Sequence, residues 1–226
     1  MRIAIVSQNN LSIIKQLQSM RLEIVEEDPD IVMSIGGDGT ILLSERLYPG
    51  IPKLVIKTSN TCRKCQYRKS QIKSILKLVM KGKYKIKEEK KIEAKFKRFR
   101  LVALNEIQLH NKKPTVALRF SVKADGFEQR NVIGDGLIIA TPFGSTGYYN
   151  SITGKAFKRG IGLAFNNPHN IKLKGIILDE NVKINVRVLR EEGWLIRDND
   201  DNFIDIKKGE RFKAYISKET AKFIKI

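Results

Sequence analysis

The chain has 226 residues, 42% hydrophobic and 30% charged, which suits one large domain or two small ones with a real core and excludes wholesale disorder. No apolar run approaches the ~20 residues that span a bilayer, MRIAIVSQNN reads as a strand and not a signal peptide, and two cysteines are too few for a disulfide framework, so a soluble, cytoplasmic protein with no membrane partner is expected. Lys and Arg number 43 against 24 Asp and Glu, a net charge of +19 that attracts polyanions generally; the lysines are dispersed and form no aromatic-interleaved stripe, so nucleic acid is not the expected partner.

The first part alternates strands and helices. Ile3-Ala4-Ile5-Val6 is a short apolar strand of the kind buried in a parallel sheet. Leu11, Ile14 and Leu17 share a helical face. Asp28-Pro29-Asp30 is a turn, and Ile31–Ile35 is a second strand, left through Gly36-Gly37-Asp38-Gly39-Thr40. A helix with Ile41, Leu42 and Leu47 on its buried side stops before Pro49-Gly50, and Leu54-Val55-Ile56 is a third strand. Ile72, Ile75, Leu76, Val79 and Met80 mark one helical face, with Ser70 as N-cap and Gly82 past the end. This order predicts a doubly wound α/β domain over residues 1–82, its sheet mostly parallel.

After Gly82 the period changes to two. Ile92, Ala94 and Phe96 alternate with charged residues, and the very basic stretch from Lys83 to Arg100 reads as a strand with a solvated lysine face. Further strands are expected at Leu101–His110, Thr115–Ala124, Leu137–Ala140, Lys183–Leu189 and Phe212–Ser217, with a hairpin turn at Asp125-Gly126. Residues 83–226 are predicted to form a β-rich domain.

Three constellations carry chemistry. The Gly36–Thr40 turn lies between a buried strand and a helix N-terminus. Its glycines allow close main-chain approach, and the helix amides favour phosphate. Asp38 inside such a cradle suits a general base toward a hydroxyl, or a group acting through a metal ion. The turn lacks the Gly-Lys-Ser/Thr of a Walker A loop and is not the dinucleotide fingerprint. Alone it suggests a phosphoryl transferase of open acceptor. Asn105 and Glu106 interrupt an apolar strand. Their burial is costly unless they bind something, and a carboxylate accepting ribose hydroxyls is a natural use. Gly134-Asp135-Gly136-Leu137-Ile138-Ile139-Ala140-Thr141-Pro142-Phe143-Gly144-Ser145-Thr146-Gly147-Tyr148-Tyr149 runs from a strand into a loop of small and hydroxylated residues, able to offer amides and hydroxyls to a base or phosphate.

The order GGDGT, NE, GDGLIIATPFGSTGYY resembles the NAD kinase family. Asn167-Pro168-His169-Asn170 and Leu195-Ile196-Arg197-Asp198 resemble further segments of it. The resemblance implies a sandwich-like second domain, NAD as acceptor and ATP or polyphosphate as donor with Mg²⁺ or another divalent metal. It implies that Asp38 accepts the proton of the adenosine ribose 2′-hydroxyl, and that Gly36, Gly37, Gly39 and Thr40 hold phosphates. Asn105 and Glu106 would fix the adenosine, Asp135 the nicotinamide side, and Thr146, Gly147, Tyr148 and Ser151 would line the pocket. It also implies a homodimer or homotetramer with sites at subunit contacts. Phe143 departs from the family's usual Thr or Ser, and Gly147 from its Ala. Its Asn-x-Gly-x-x-Gly-Phe-Leu loop is replaced by Lys57-Thr58-Ser59-Asn60-Thr61-Cys62-Arg63-Lys64-Cys65. Cys62 and Cys65 could be a metal or redox pair; lacking a second pair, two reduced structural thiols are the expected state. A kinase of a lipid or sugar, and a non-catalytic dinucleotide or nucleic-acid binder, are the alternatives.

Overall fold

A computed structural model describes residues 1–7, 14, 17, 20, 22–58, 62–170 and 172–226. Most of the helix expected around Leu11 lies outside them, as do Ser59, Asn60 and Thr61. The chain divides into two compact units, Met1–Glu89 with Thr220–Ile226, and Lys90–Glu219; the change of period suggested 1–82 and 83–226.

The first unit contains β1 (Arg2–Ser7), β2 (Glu23–Ile24), β3 (Ile31–Gly36), α1 (Asp38–Leu47), β4 (Lys53–Lys57), β5 (Tyr67–Arg68), a 3₁₀ turn (Lys69–Gln71) and α2 (Ile72–Met80). Strands β2, β1, β3 and β4 lie side by side and parallel. The far side of β4 takes β5 at Ile56 and Lys57, and takes Phe223 of the last strand opposite Lys53. Alternation sorts the side chains onto two faces. Met33, Ile35, Leu54 and Ile56 meet Ile72, Ile75, Leu76 and Val79 of α2, while Ala4, Val6 and Val32 meet Leu43, Tyr48 and Ile51 on the other. Helical cover on both faces is why the interiors of β1, β3 and β4 are apolar apart from Ser34.

Three local expectations are corrected. Leu47 and Met80 are exposed, not in the core. The α1 face instead buries Glu45, ion-paired with Lys53 Nζ, which also donates to the Tyr48 carbonyl at 2.6 Å. The N-cap of α2 is Gln71, because Ser70 lies inside the 3₁₀ turn. Gly82 does close α2, at φ +66°. Its N–H donates to Val79 O and that of Lys83 to Leu78 O, both at 2.9 Å, the paired bonds of a Schellman motif.

The second unit is built from β6 (Lys85–Phe96), β7 (Phe99–Ala103), β8 (Glu106–Asn111), β9 (Leu118–Ala124), β10 (Phe127–Gly134), β11 (Gly136–Ala140), a 3₁₀ turn (Gly144–Thr146), α3 (Tyr148–Thr153), β12 (Ile161–Asn166), β13 (Gly175–Leu178), β14 (Ile184–Arg190), β15 (Gly193–Arg197), β16 (Ile204–Ile206) and β17 (Arg211–Lys225). One layer orders β10-β9-β14-β17, with β6 joining β17 to β7, and the other orders β13-β12-β11-β8-β15-β16. Their inner faces share one core, including Ile92, Phe96, Ile107, Leu109, Phe120, Phe165, Val186 and Phe212, as in a β-sandwich. The expected strand Leu101–His110 is two strands, broken at Leu104 and Asn105.

Candidate functional site

The glycine turn of the first unit is tighter than a loop. Gly36 ends β3, Gly37 is the N-cap of α1, and Asp38 is already helical. Gly36 is required by packing, since a Cβ there would lie 2.1 Å from Thr40 Oγ1. The main-chain N–H of Thr40 donates to the Gly37 carbonyl at 3.1 Å, so it is occupied within the turn. The first-turn amides of Asp38 and Gly39 have no place in the helix's own ladder and give α1 its anion-attracting end. An acidic residue at this end is itself favourable for the helix.

Cys62, Arg63 and Lys64 pack against this carboxylate. Asp38 Oδ2 accepts the main-chain N–H of Arg63 at 3.2 Å, and Oδ1 accepts that of Lys64 at 3.1 Å. Cys62 Sγ lies 3.1 Å from Oδ1, and Cys65 Sγ lies 3.4 Å from the Gly36 carbonyl. Cys62 and Cys65 are joined by a disulfide, where two reduced thiols were expected. The Cys65 N–H points at Cys62 Sγ across 3.2 Å. Burial holds the Lys64 ammonium below its ordinary pKa, against the pull of Glu89 and Asp38. Asp38, Cys62 and Cys65 offer ligand atoms within 4.8 Å of one another, and they form the metal-type cluster found among the described residues.

In the second unit the strand break positions two polar residues. The carboxylate of Asp198, just past β15, accepts main-chain N–H groups from Leu104 (2.8 Å), Asn105 (2.6 Å) and Glu106 (3.2 Å). Three donors on one carboxylate draw the chain out of the ladder and turn Asn105 and Glu106 together. Glu106 is 2% exposed. Its Oε1 receives Gln108 Nε2 across a long 3.4 Å, and its Oε2 has no partner among the described residues. Burial first, and the nearby Asp198 charge second, push the Glu106 carboxyl up to about 8. Burial also lifts Asp198, to about 6, although its three N–H donors pull the other way. Near neutral pH the donor-rich Asp198 carries the charge, and Glu106 holds a proton.

The glycine- and threonine-rich stretch packs onto this break. Thr141 Oγ1 donates to the Leu104 carbonyl (2.6 Å) and accepts the Gly144 N–H (3.0 Å), while its own N–H donates to the Asn105 carbonyl (2.8 Å). A Cβ at Gly144 would meet Asn105 O at 2.3 Å, so only glycine fits. A Cβ at Gly147 would lie 3.7 Å from Glu106 Oε2 and 3.8 Å from Asn105 Nδ2. Asn105, Glu106 and Gly147 therefore line one spot. Ser151 bonds back to the Gly147 carbonyl at 3.2 Å, and Tyr148 stands exposed at the start of α3. Asp135 does not join them. The register pairs Ala140 with Glu106 and Gly136 with His110, so Asp135, one residue further on, sits about 17 Å away along the sheet. There it accepts Asn167 Nδ2 at 3.1 Å.

Thr141, which braces the break, carries no local sequence signal, and Asp198 stands out in the sequence only through the resemblance. Both act on residues far away in the chain, a relation that local pattern does not encode.

The ATP-NAD kinase C-terminal domain family matches residues 104–226. The NAD kinase of Sulfurisphaera tokodaii is 35% identical over 208 residues, covering 89% of this chain and 79% of that one. In fold, the chain is similar to an Archaeoglobus fulgidus NAD kinase solved with ATP (TM-score 0.83, 22% identity, 99% of this chain and 93% of that one). It is also similar to a yeast NADH kinase solved with NADH (TM-score 0.89, 15% identity, 100% and 83%).

Proposed function

Because the chain belongs to the NAD kinase family, we propose that it transfers a phosphoryl group from ATP, or from polyphosphate, to the 2′-hydroxyl of the adenosine ribose of NAD. The observation carrying this reading is the buried Glu106 carboxylate, one oxygen unpartnered, beside Asn105 and Gly147. Once it gives up its proton, this starved acceptor calls for hydroxyl donors, and a ribose supplies two. A lipid tail or an unadorned phosphate would leave it orphaned.

Asp38 takes the proton as the ribose oxygen attacks the terminal phosphorus of the donor in line. The bond from that phosphorus to the bridging oxygen breaks as the new one forms. The amide-rich end of α1 stabilises charge on the phosphates, aided by Gly36, Gly37, Gly39 and Thr40, which let the phosphates approach. In the second unit Asn105, Glu106, Thr146, Gly147, Tyr148 and Ser151 seat the adenosine half. The donor set around Asp38 is two sulfurs and one carboxylate, which does not fit a resident Mg²⁺, an ion that prefers oxygen ligands. A divalent ion is therefore assigned to the donor as part of its phosphate complex. Asp135, remote from Glu106 in its own chain, would meet the nicotinamide side of a site completed by a second copy if the chain assembles as the proposed homodimer or homotetramer. No helix among the described residues is long and apolar enough to cross a membrane, in keeping with a proposed cytoplasmic location.

The test incubates purified protein with NAD, Mg²⁺ and either ATP or polyphosphate, and follows NADP with an NADP-specific dehydrogenase. NADP is expected with at least one donor. None with either, while a lipid or sugar is phosphorylated, would refute the reading.

A further inference from the structure

We propose that Cys62 and Cys65 form a reversible thiol–disulfide site through which a dithiol reductant controls Asp38. The kinase half of this rests on the reading above; the thiol chemistry does not. The disulfide fixes the four-residue turn whose two inner amides, of Arg63 and Lys64, bind both oxygens of Asp38. Cys62 Sγ touches the same carboxylate at 3.1 Å. In that state the lone pairs meant for a substrate proton are committed to main-chain donors, and the turn lies against them. Opening the disulfide unties the turn and lets the amides leave the carboxylate.

The step balances as ordinary exchange. A thiolate of a small dithiol, or of a dithiol protein, attacks the Sγ of Cys65, the less buried of the two residues. The Cys62–Cys65 bond breaks, and Cys62 leaves as a thiolate and takes a proton. The partner's second thiol then attacks the mixed disulfide and releases Cys65. Two electrons and two protons have passed to the protein, and the partner leaves as its own disulfide. A zinc reading of the same three groups is weaker here, because the two sulfurs are bonded to each other and Arg63 and Lys64 bring cationic charge to the turn.

The experiment prepares the protein oxidised with glutathione disulfide and reduced with dithiothreitol, and verifies each state by its mass difference of two hydrogens. NADP formation is measured in both. A turnover roughly tenfold higher is expected for the reduced protein, with the double variant C62S/C65S matching the reduced rate in either buffer. Hydrogen exchange of a peptide containing Arg63 and Lys64 should quicken on reduction, and in Asp38→Ala, which offers no acceptor, it should be fast in both states. Equal turnover in two verified states would overturn the proposal. So would a redox response surviving in the double variant, exchange indifferent to reduction, or one zinc ion per chain retained with both sulfurs shielded from alkylation. No NADP in any state, with the exchange response intact, would overturn the kinase reading while supporting the thiol site.

Discussion

Two carboxylates of this chain are treated in opposite ways. Asp38 is given donors by a neighbouring turn, whereas Glu106 is denied them and buried. Asp38→Asn keeps the shape and one accepting oxygen but removes the proposed base. Turnover should fall by about 10²–10⁴-fold, with NAD affinity changed only a few-fold, as read by steady-state kinetics beside calorimetry. For Glu106 the prediction is one of pH. Its ordinary value is 4.5 and its value in the fold is about 8, so between them the folded chain keeps a proton that the unfolded chain has lost. Its contribution to unliganded stability is therefore full below 4.5 and drains away as pH rises through 8. Ribose hydroxyls need the ionised form. NAD should then bind more tightly as pH rises, by about tenfold per unit well below 8 and with no further gain above it. Titration calorimetry from pH 6 to 9 checks this, and Glu106→Gln should flatten the profile.

At the scale of elements, caps and breaks carry the testable content. Gly82→Ala keeps open space around the new methyl but forces an L-residue to φ +66°, which costs about 1–2 kcal/mol. Chemical denaturation should show that loss, with kinetics unchanged. Asp198→Asn turns an NH₂ group toward main-chain donors. Stability should fall by about 1–3 kcal/mol, and KM for NAD should rise more than kcat falls, because Asn105 and Glu106 lose their aim. This break also shows where reading from sequence stops. The run Leu101–Ile107 reads as one strand with two polar residues in it, yet the group that breaks it lies 94 residues downstream of Leu104. The Gly36–Thr40 turn was legible because strand, glycines and helix start are consecutive there. Leu47 and Met80 were misplaced because helical spacing alone cannot say where a neighbouring strand stops covering the face.

For the whole molecule, the change from period 3.6 to period 2 disclosed a doubly wound sheet followed by a β-rich part. The strand order and the return of the chain to its first unit were invisible, since both depend on pairings between distant segments. Binding that favours the folded state should raise stability in proportion to occupancy. NAD at a hundred times its Kd is expected to add about 2.7 kcal/mol, seen as a higher Tm, and Glu106→Gln should lose that gain at the same NAD concentration. The return itself has a consequence for biosynthesis. Phe223 and Ile224 are buried against strands made from the opening segment of the polypeptide, and the Ile226 amide reaches the Tyr67 hydroxyl at 2.7 Å. That parallel sheet is thus completed only after the sandwich strands that follow it in sequence have been translated. During that interval its open border would be exposed to chaperones and to like strands of neighbouring nascent chains.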